Sequence, residues 1–291
     1  MYEDSIAFPN LHITFEHVGR HINIGSFEIA FYGIVIAIGM LVAFAFILKE
    51  GKKDGIASED ITDFFIWAII IGILGARIYY VIFSWDDYKD DLIQIINLRG
   101  GGLAIYGGII GGFIAICVIA KKKNIPVFKF LDIAALAVLI GQIFGRWGNF
   151  FNREVFGGYT NGLFAMQLPV SSVRDQSDIN EVMLSNMVTV DDIDTILVHP
   201  TFLYESLWNL GAFIILYLFK QKKKADGDII FGYLGLYGIG RFWIEGMRTD
   251  QLKLPAIGVP VSQVVAAVCV VVSIFYFIQS RRILLSKKKG E

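Results

Sequence analysis

The sequence predicts an all-α integral membrane protein, with seven transmembrane helices and a small extracytoplasmic head between spans four and five. Three observations carry that class. The 291 residues are 55% hydrophobic and 18% charged, whereas a soluble domain carries roughly a quarter charged residues; mean hydropathy is +0.59. Apolar runs about 20 residues long, the length that crosses a bilayer core, recur along the chain. Lysine and arginine are partitioned between alternate connections, as the positive-inside rule requires of a polytopic protein.

The runs fall at 29–48, 64–83, 103–120, 127–147, 202–219, 229–247 and 259–278. The first, third and last are uncharged, and the third is glycine-rich. Sixteen basic residues follow spans one, three, five and seven, Lys129 of them just inside span four: Lys49, Lys52, Lys53, Lys121, Lys122, Lys123, Lys129, Lys220, Lys222, Lys223, Lys224, Arg281, Arg282, Lys287, Lys288 and Lys289. Seven lie on the opposite side: Arg20, Lys89, Arg99, Arg153, Arg174, Arg248 and Lys253. The N-terminus is therefore expected outside and the C-terminus in the cytoplasm. The chain reads as one polytopic domain, 1–291, with 150–198 inserted as the head. The head's acidic residues, Asp175, Asp178, Glu181, Asp191, Asp192 and Asp194, read as a solvated surface. The first 28 residues have no basic start before an apolar core, so no secretory signal peptide is expected.

Composition also excludes function classes. A net charge of −1 gives no overall basic surface for nucleic acid. Cys117 and Cys269 lie in apolar runs, where a thiol is inert. No histidine or cysteine spacing fits a metal site, and no cofactor motif is present.

The polar residues inside the runs collect at one depth. On the expected topology Arg77, Arg146, Arg241, Glu245 and Arg248 lie at the outer ends of spans two, four and six. Glu205 and Tyr204 open span five after His199-Pro200, and Tyr32 and Tyr106 lie near the outer ends of spans one and three. Asp132 is the exception, towards the cytoplasmic end of span four. Arg241, Glu245 and Arg248 are spaced i, i+4, i+7 and share a helix face. Four arginines (Arg77, Arg146, Arg241, Arg248) against three glutamates (Glu154, Glu205, Glu245) make a net positive, partly paired layer. Such a layer suits an anionic lipid headgroup, because guanidinium grips phosphate with a fork that lysine lacks. Arginines near helix ends also snorkel to the interface; that reading is preferred for Arg77 alone, but not for Arg241 with Glu245 or for Arg146 with Asn149 and Glu154. Gly108 and Gly112, four apart, are read as a helix-packing face. Gly100, Gly101 and Gly102 are read as a flexible lead-in to a short or re-entrant segment that presents Tyr106.

The string Gly-Arg-Trp-Gly-Asn-Phe-Phe-Asn-Arg-Glu-Val-Phe-Gly at 145–157 resembles the signature of the prolipoprotein diacylglyceryl transferases. The resemblance extends to His-Pro-Thr-Phe-Leu-Tyr-Glu at 199–205, to the segment 241–250, to Tyr32-Gly33, to Arg77 and to the glycine block 102–112. It implies a seven-span protein of the bacterial cytoplasmic membrane. The implied partners are membrane phosphatidylglycerol, whose diacylglyceryl group is transferred, and the lipobox cysteine of a prolipoprotein signal peptide, which receives it as a thioether while glycerol phosphate leaves. It implies that Arg146 binds the phosphatidylglycerol headgroup and that Asn149, Glu154, Gly157 and Tyr32 are needed for activity; these, with Arg248 and Arg77, are the expected phosphatidylglycerol-binding residues, and Arg241, with Glu245 and Tyr106, is expected to be catalytic. Where many members have a histidine, this chain has Tyr106, whose reference pKa near 10 makes it a poor base; either Tyr106 acts mainly as a hydrogen-bond donor, the preferred reading, or a histidine base is not general to the family.

In the expected reaction a thiolate displaces phosphate at the glycerol carbon. Arg146 and Arg241 stabilise the leaving group, and Glu245 holds Arg241 while preventing over-tight phosphate capture. His199 reads equally as a base and as a turn residue. An anionic-lipid transporter or scramblase is the alternative, and a sensor or scaffold is a third class. Charges confined to one side argue against alternating access.

Overall fold

The computed structural model describes residues 4–98, 101–255 and 257–289, with only the backbone at 284, 285 and 287–289. Arg99 of the charge count and Gly100 of the lead-in lie outside the described residues, as do the side chains of Lys287, Lys288 and Lys289. The chain divides into two compact units: Phe44–Ala134, and the segments Met1–Ala43 and Ala135–Glu291 together.

In chain order the long helices are α1 (Phe31–Lys53), α2 (Ser58–Phe83), α3 (Ile105–Lys123), α4 (Val127–Asn152), α6 (Thr201–Lys220), α7 (Asp228–Glu245) and α8 (Val261–Lys289); a five-residue α5 (Glu181–Ser185) lies between α4 and α6. Their ends follow local rules. Glu59 and Asp60 sit in the first turn of α2, and Lys121, Lys122 and Lys123 in the last turn of α3, each complementing the helix dipole. Asn124 closes α3 in the left-handed region. Among the described residues, six of these helices are long and apolar enough to cross a membrane: α1, α2, α3, α4, α6 and α8. The structure is thus mostly helical and has the character of an integral membrane protein. α7 is not among the six; its 18 residues include Asp228, Arg241 and Glu245.

The all-α expectation needs correction. β1 (Ile6–Phe8), β2 (Ile13–Phe15), β5 (Met166–Pro169), β6 (Val188–Val190) and β7 (Ile193–Val198) form one antiparallel sheet in the order β2-β1-β5-β7-β6. The register pairs Ala7 with Gln167 and Met166 with Val198. A separate hairpin joins β3 (His21–Ile24) to β4 (Phe27–Ala30). The sheet buries Ile6, Phe8, Met166, Leu168, Ile196 and Val198 against Phe150 of α4, Phe156 and Phe202 of α6. This core fixes the end of α4 against the start of α6. Arg153, 1% exposed, ties the amino-terminal segment down: its Nη2 donates to the carbonyls of Asp4 (2.6 Å) and Val18 (2.5 Å). Burial pushes its guanidinium down to about 10, opposed by the Asp4 carboxylate.

In the unit Phe44–Ala134, α2 lies on α3. The contact runs through Gly75 and Gly107: a Cβ on Gly75 would lie 2.5 Å from the Gly107 oxygen. Gly111 is packed as tightly against Ile71. The expected pair Gly108 and Gly112 is therefore one residue out of frame; a Cβ on Gly112 would meet nothing within 4 Å.

Arg77, 5% exposed, occupies the same unit, and all five of its N–H groups are engaged. Nε donates to Ile95 O (2.7 Å), Nη1 to Gly101 O (2.8 Å) and Gly102 O (2.9 Å), and Nη2 to Gln94 O and Asn97 O (3.1 Å). The guanidinium also lies 5.0 Å from the Tyr88 ring centre. Gly101 and Gly102 hold φ of +83° and +75°, so their conformation is imposed and the carbonyls turn inward. This lead-in to α3 is clamped, where the sequence predicted flexibility.

Two outcomes follow. Gly75→Ala drives a methyl into Gly107 and should destabilise by about 1–3 kcal/mol, lowering the thermal midpoint in detergent, while Gly112→Ala leaves it unchanged. Arg77→Lys replaces five planar donors with three; carbonyls left unpaired cost about 1–3 kcal/mol each. Amide exchange across 92–98 and 101–104 should then accelerate while the middle of α3 stays protected; unchanged exchange would remove the clamp.

Candidate active site

The last turns of α4 project Arg146 and Asn149 towards the ends of two other helices. Arg146 Nη2 lies 2.8 Å from Glu205 Oε2, on the second turn of α6. Glu205 Oε1 is 3.2 Å from Arg241 Nη1, on the last turn of α7. Arg241 Nη2 is 2.5 Å from Glu245 Oε2, one turn on; the contact is short but out of line, and this oxygen makes no hydrogen bond. Arg248 Nη1 completes the group at 3.9 Å from Glu205 Oε1 and 3.8 Å from Glu245 Oε2. Glu205 and Glu245 are 4% and 2% exposed. One buried carboxylate therefore meets three guanidinium groups from separate stretches of chain.

A relay of amides supports Arg146 from behind. Asn149 Oδ1 lies 3.4 Å from Arg146 Nη1, while Asn149 Nδ2 and Asn152 Nδ2 donate to Glu154 Oε1 at 2.9 and 3.1 Å. Arg174 Nη1 holds the other Glu154 oxygen at 2.9 Å. Glu154 is placed by a strained turn: Arg153 and Val155 on either side have φ of +52° and +59°, a rare conformation for a β-branched residue. The turn is held by Thr201, whose hydroxyl donates to Val155 O. Gly157 then crosses close to two other segments, its N–H donating to His199 O (3.0 Å) and the next N–H to Met247 O (2.9 Å). A Cβ at Gly157 would lie 2.8 Å from both His199 Cβ and Met247 O, so only glycine allows this crossing. The Tyr32 ring packs on α4 at Gly148, where a Cβ would come within 2.6 Å of it.

Arg248 lies beyond the end of α7, so the expected single helix face is completed by a turn, Arg248 N–H to Glu245 O (3.2 Å). Its guanidinium forks onto Asp250 at 2.8 and 2.5 Å. Burial pulls the Arg248 guanidinium down, but Asp250, Glu205 and Glu245 outweigh it and hold it above the ordinary arginine value. Asp250, also opposed by burial, is held below the ordinary carboxylate range by Arg248. Burial lowers the His199 imidazole, which leaves it neutral near pH 7, with Nδ1 3.3 Å from Tyr204 Oη.

The structure thus brings Tyr32, Arg146, Asn149, Glu154, Gly157, Arg241, Glu245 and Arg248 into one unit. Arg77 and Tyr106 belong to the other. Arg77 is committed to backbone carbonyls, and the Tyr106 hydroxyl has no partner among the described residues. The expected net positive layer becomes, within the cluster, Arg146, Arg241 and Arg248 against Glu205, Glu245 and Asp250. That is a charge-balanced group. Asp250, two residues from Arg248, had a local signal in the sequence; Arg174, Ser262 (Oγ 3.4 Å from Arg241 Nη2) and Gln251 (Nε2 2.5 Å from Glu245 O) had none. Glu154, Val155, Arg174, Asp175, Asp178 and Asp250 line a cavity of about 320 Å³ beside the cluster. Four carboxylates make it a poor place for an anion.

Comparison with known proteins agrees with this chemistry. A family model described as prolipoprotein diacylglyceryl transferase matches residues 20–279. Proteins named phosphatidylglycerol–prolipoprotein diacylglyceryl transferase are 44% identical over 227 residues in Clostridioides difficile (78% of this chain, 82% of the relative), 41% over 269 residues in Finegoldia magna (92% and 98%) and 38% over 270 residues in Bacillus cereus (92% and 94%). With its apolar helices the chain is a multi-pass membrane protein, and it belongs to the prolipoprotein diacylglyceryl transferase family.

Proposed function

We propose that this chain transfers the diacylglyceryl group of phosphatidylglycerol to the lipobox cysteine of a prolipoprotein, the first step of lipoprotein maturation. The convergence of Arg146, Arg241 and Arg248 on one buried carboxylate carries the reading. The relatives' names supply the phospholipid donor and the prolipoprotein acceptor. Family membership disfavours the transporter and scaffold alternatives.

We place the protein in the bacterial cytoplasmic membrane with seven spans, adding α7 to the six apolar helices. Asp228, Arg241 and Glu245 of α7 are turned inside the protein and paired, the arrangement that lets charged residues cross lipid. The partition of lysine and arginine supports an outer N-terminus and a cytoplasmic C-terminus. The extracytoplasmic head then comprises 150–198 together with the strands β1 and β2 that extend its sheet.

In the reaction, the cysteine sulfur attacks the glycerol carbon bearing the phosphate. A C–S bond forms as the C–O bond breaks, and the electron pair leaves on the phosphate oxygen of glycerol phosphate. The thiol proton passes to solvent water before attack, favoured by nearby guanidinium groups that stabilise the thiolate. Arg146 and Arg241 neutralise the charge that grows on the leaving phosphate. Asn149 and Glu154 orient Arg146, and Glu245 and Arg248 brace Arg241. Gly157 and Tyr32 shape the walls, and Tyr106 keeps the hydrogen-bond-donor role that its place in the sequence implies. Arg77 acts by holding its loop. The scheme requires neither metal nor organic cofactor.

Purified protein incubated with phosphatidylglycerol and a lipobox peptide should raise the peptide mass by one diacylglyceryl group; a transporter leaves the mass unchanged. Arg241→Ala should reduce transfer by about 10²–10³-fold, the usual loss on removing a preorganised charge-stabilising donor, with the protein still inserted in membrane. Near-full activity would take Arg241 out of the mechanism. Tyr106→Phe should lower turnover and Tyr106→His retain it; unchanged turnover in Tyr106→Phe would show that the hydroxyl is dispensable.

A further inference from the structure

Glu205 is the common partner of the cluster. Arg146 Nη2 lies 2.8 Å from Oε2 of its carboxylate, while Arg241 Nη1 donates to Oε1 at 3.2 Å and to Oε2 at 3.4 Å. Arg241 has Glu245 as a second carboxylate and Arg248 has Asp250. Arg146 has no other carboxylate partner among the described residues, and at 22% side-chain exposure it is the most open of the three guanidinium groups. A planar carboxylate bridging two guanidinium groups presents them with the same pair of anionic oxygens that a phosphate would. Two guanidinium groups suited to gripping a lipid phosphate are thus already paired with a side chain of the protein.

We infer that Glu205 is a built-in competitor of the substrate phosphate: it holds Arg146 and Arg241 in gripping geometry when the lipid is absent, yields them as phosphate enters, and retakes them as glycerol phosphate leaves. This rests on the reading that these arginines bind the headgroup phosphate. Two physical consequences make the role useful. Without Glu205 the three guanidinium groups would face only Glu245 and Asp250, and Arg146 would lose its carboxylate partner, so the empty site would lose its shape. The released glycerol phosphate carries more negative charge than the diester it came from, so an unopposed arginine cluster would hold product more tightly than substrate and slow turnover. A carboxylate within reach of the same N–H groups weakens both bound states and acts most strongly against the more highly charged product. Glu245 was the expected brake in the sequence, but its carboxylate lies in the Arg241–Arg248 pairing and does not engage Arg146. Glu205 is therefore a positioning residue that also sets release.

The experiment measures KM for phosphatidylglycerol, kcat and inhibition by added glycerol phosphate in wild type, Glu205→Gln, Glu205→Asp and Arg146→Lys. In Glu205→Gln, removal of the competing charge should lower KM for phosphatidylglycerol and tighten glycerol phosphate inhibition, each by about tenfold, while kcat falls because release becomes limiting. Glu205→Asp, which keeps the charge on a shorter arm, should shift both constants in the same direction by a smaller factor, and it carries the test if Glu205→Gln does not fold. A higher KM with unchanged or weaker product inhibition would mean that Glu205 is only a brace, and would overturn the inference. Arg146→Lys should raise KM and weaken glycerol phosphate inhibition. If it changes neither, the phosphate reading itself has failed and the inference falls with it; a normal Arg146→Lys response beside a wrong-signed Glu205→Gln response isolates the failure to Glu205.

Discussion

Charges held out of water must find partners, and here three guanidinium groups share one buried glutamate. Removing one member of a buried ion pair typically costs about 3–5 kcal/mol, because the other charge is left uncompensated. That constraint links the ends of α4, α6 and α7, since Arg146, Glu205 and Arg241 stand on different helices. Much of the surrounding structure follows. Phe150 and Phe202, on the same two helix ends as Arg146 and Glu205, are buried in the core beneath the five-stranded sheet. The strained turn at Arg153 and Val155 sets Glu154 where Asn149 and Asn152 reach it. Gly157 admits the close crossing that puts the backbone of Arg248 alongside it.

The arrangement also changes the electrostatic account. A layer of excess arginine would attract any phosphate and release none quickly. The observed cluster is neutral in sum, with each guanidinium already assigned a carboxylate. On the proposed function, an incoming headgroup enters by exchange of anions, and the protein's own carboxylates take part in setting affinity. Arginine serves a different end at position 77, where five backbone carbonyls take all of its donors.

The sequence made the long helices legible because a lipid-crossing helix needs an unbroken apolar run and tolerates few alternatives; α1 begins at Phe31 and α3 at Ile105, each within two residues of the expected start. Of the charged residues in such runs, Arg146, Glu205, Arg241 and Glu245 meet in one cluster, while Arg77, expected in the same layer, does not join them. The sheet was not. Its strands are three to six residues long, and Ala7 pairs with Gln167 across more than half of the chain, so no local periodicity marks the pairing. The glycine contact between α2 and α3 was displaced by one position because Gly107-Gly108 and Gly111-Gly112 offer two equivalent small-residue frames, and only packing chooses between them. Arg77 was opaque for another reason: its partners are backbone carbonyls, which every sequence contains.

The most direct measurement is a structure of the protein with phosphatidylglycerol bound. The account predicts the headgroup phosphate within hydrogen-bonding distance of both Arg146 and Arg241, with Glu205 drawn back from at least one of them. A phosphate seated elsewhere, with both Glu205 contacts intact, would contradict it.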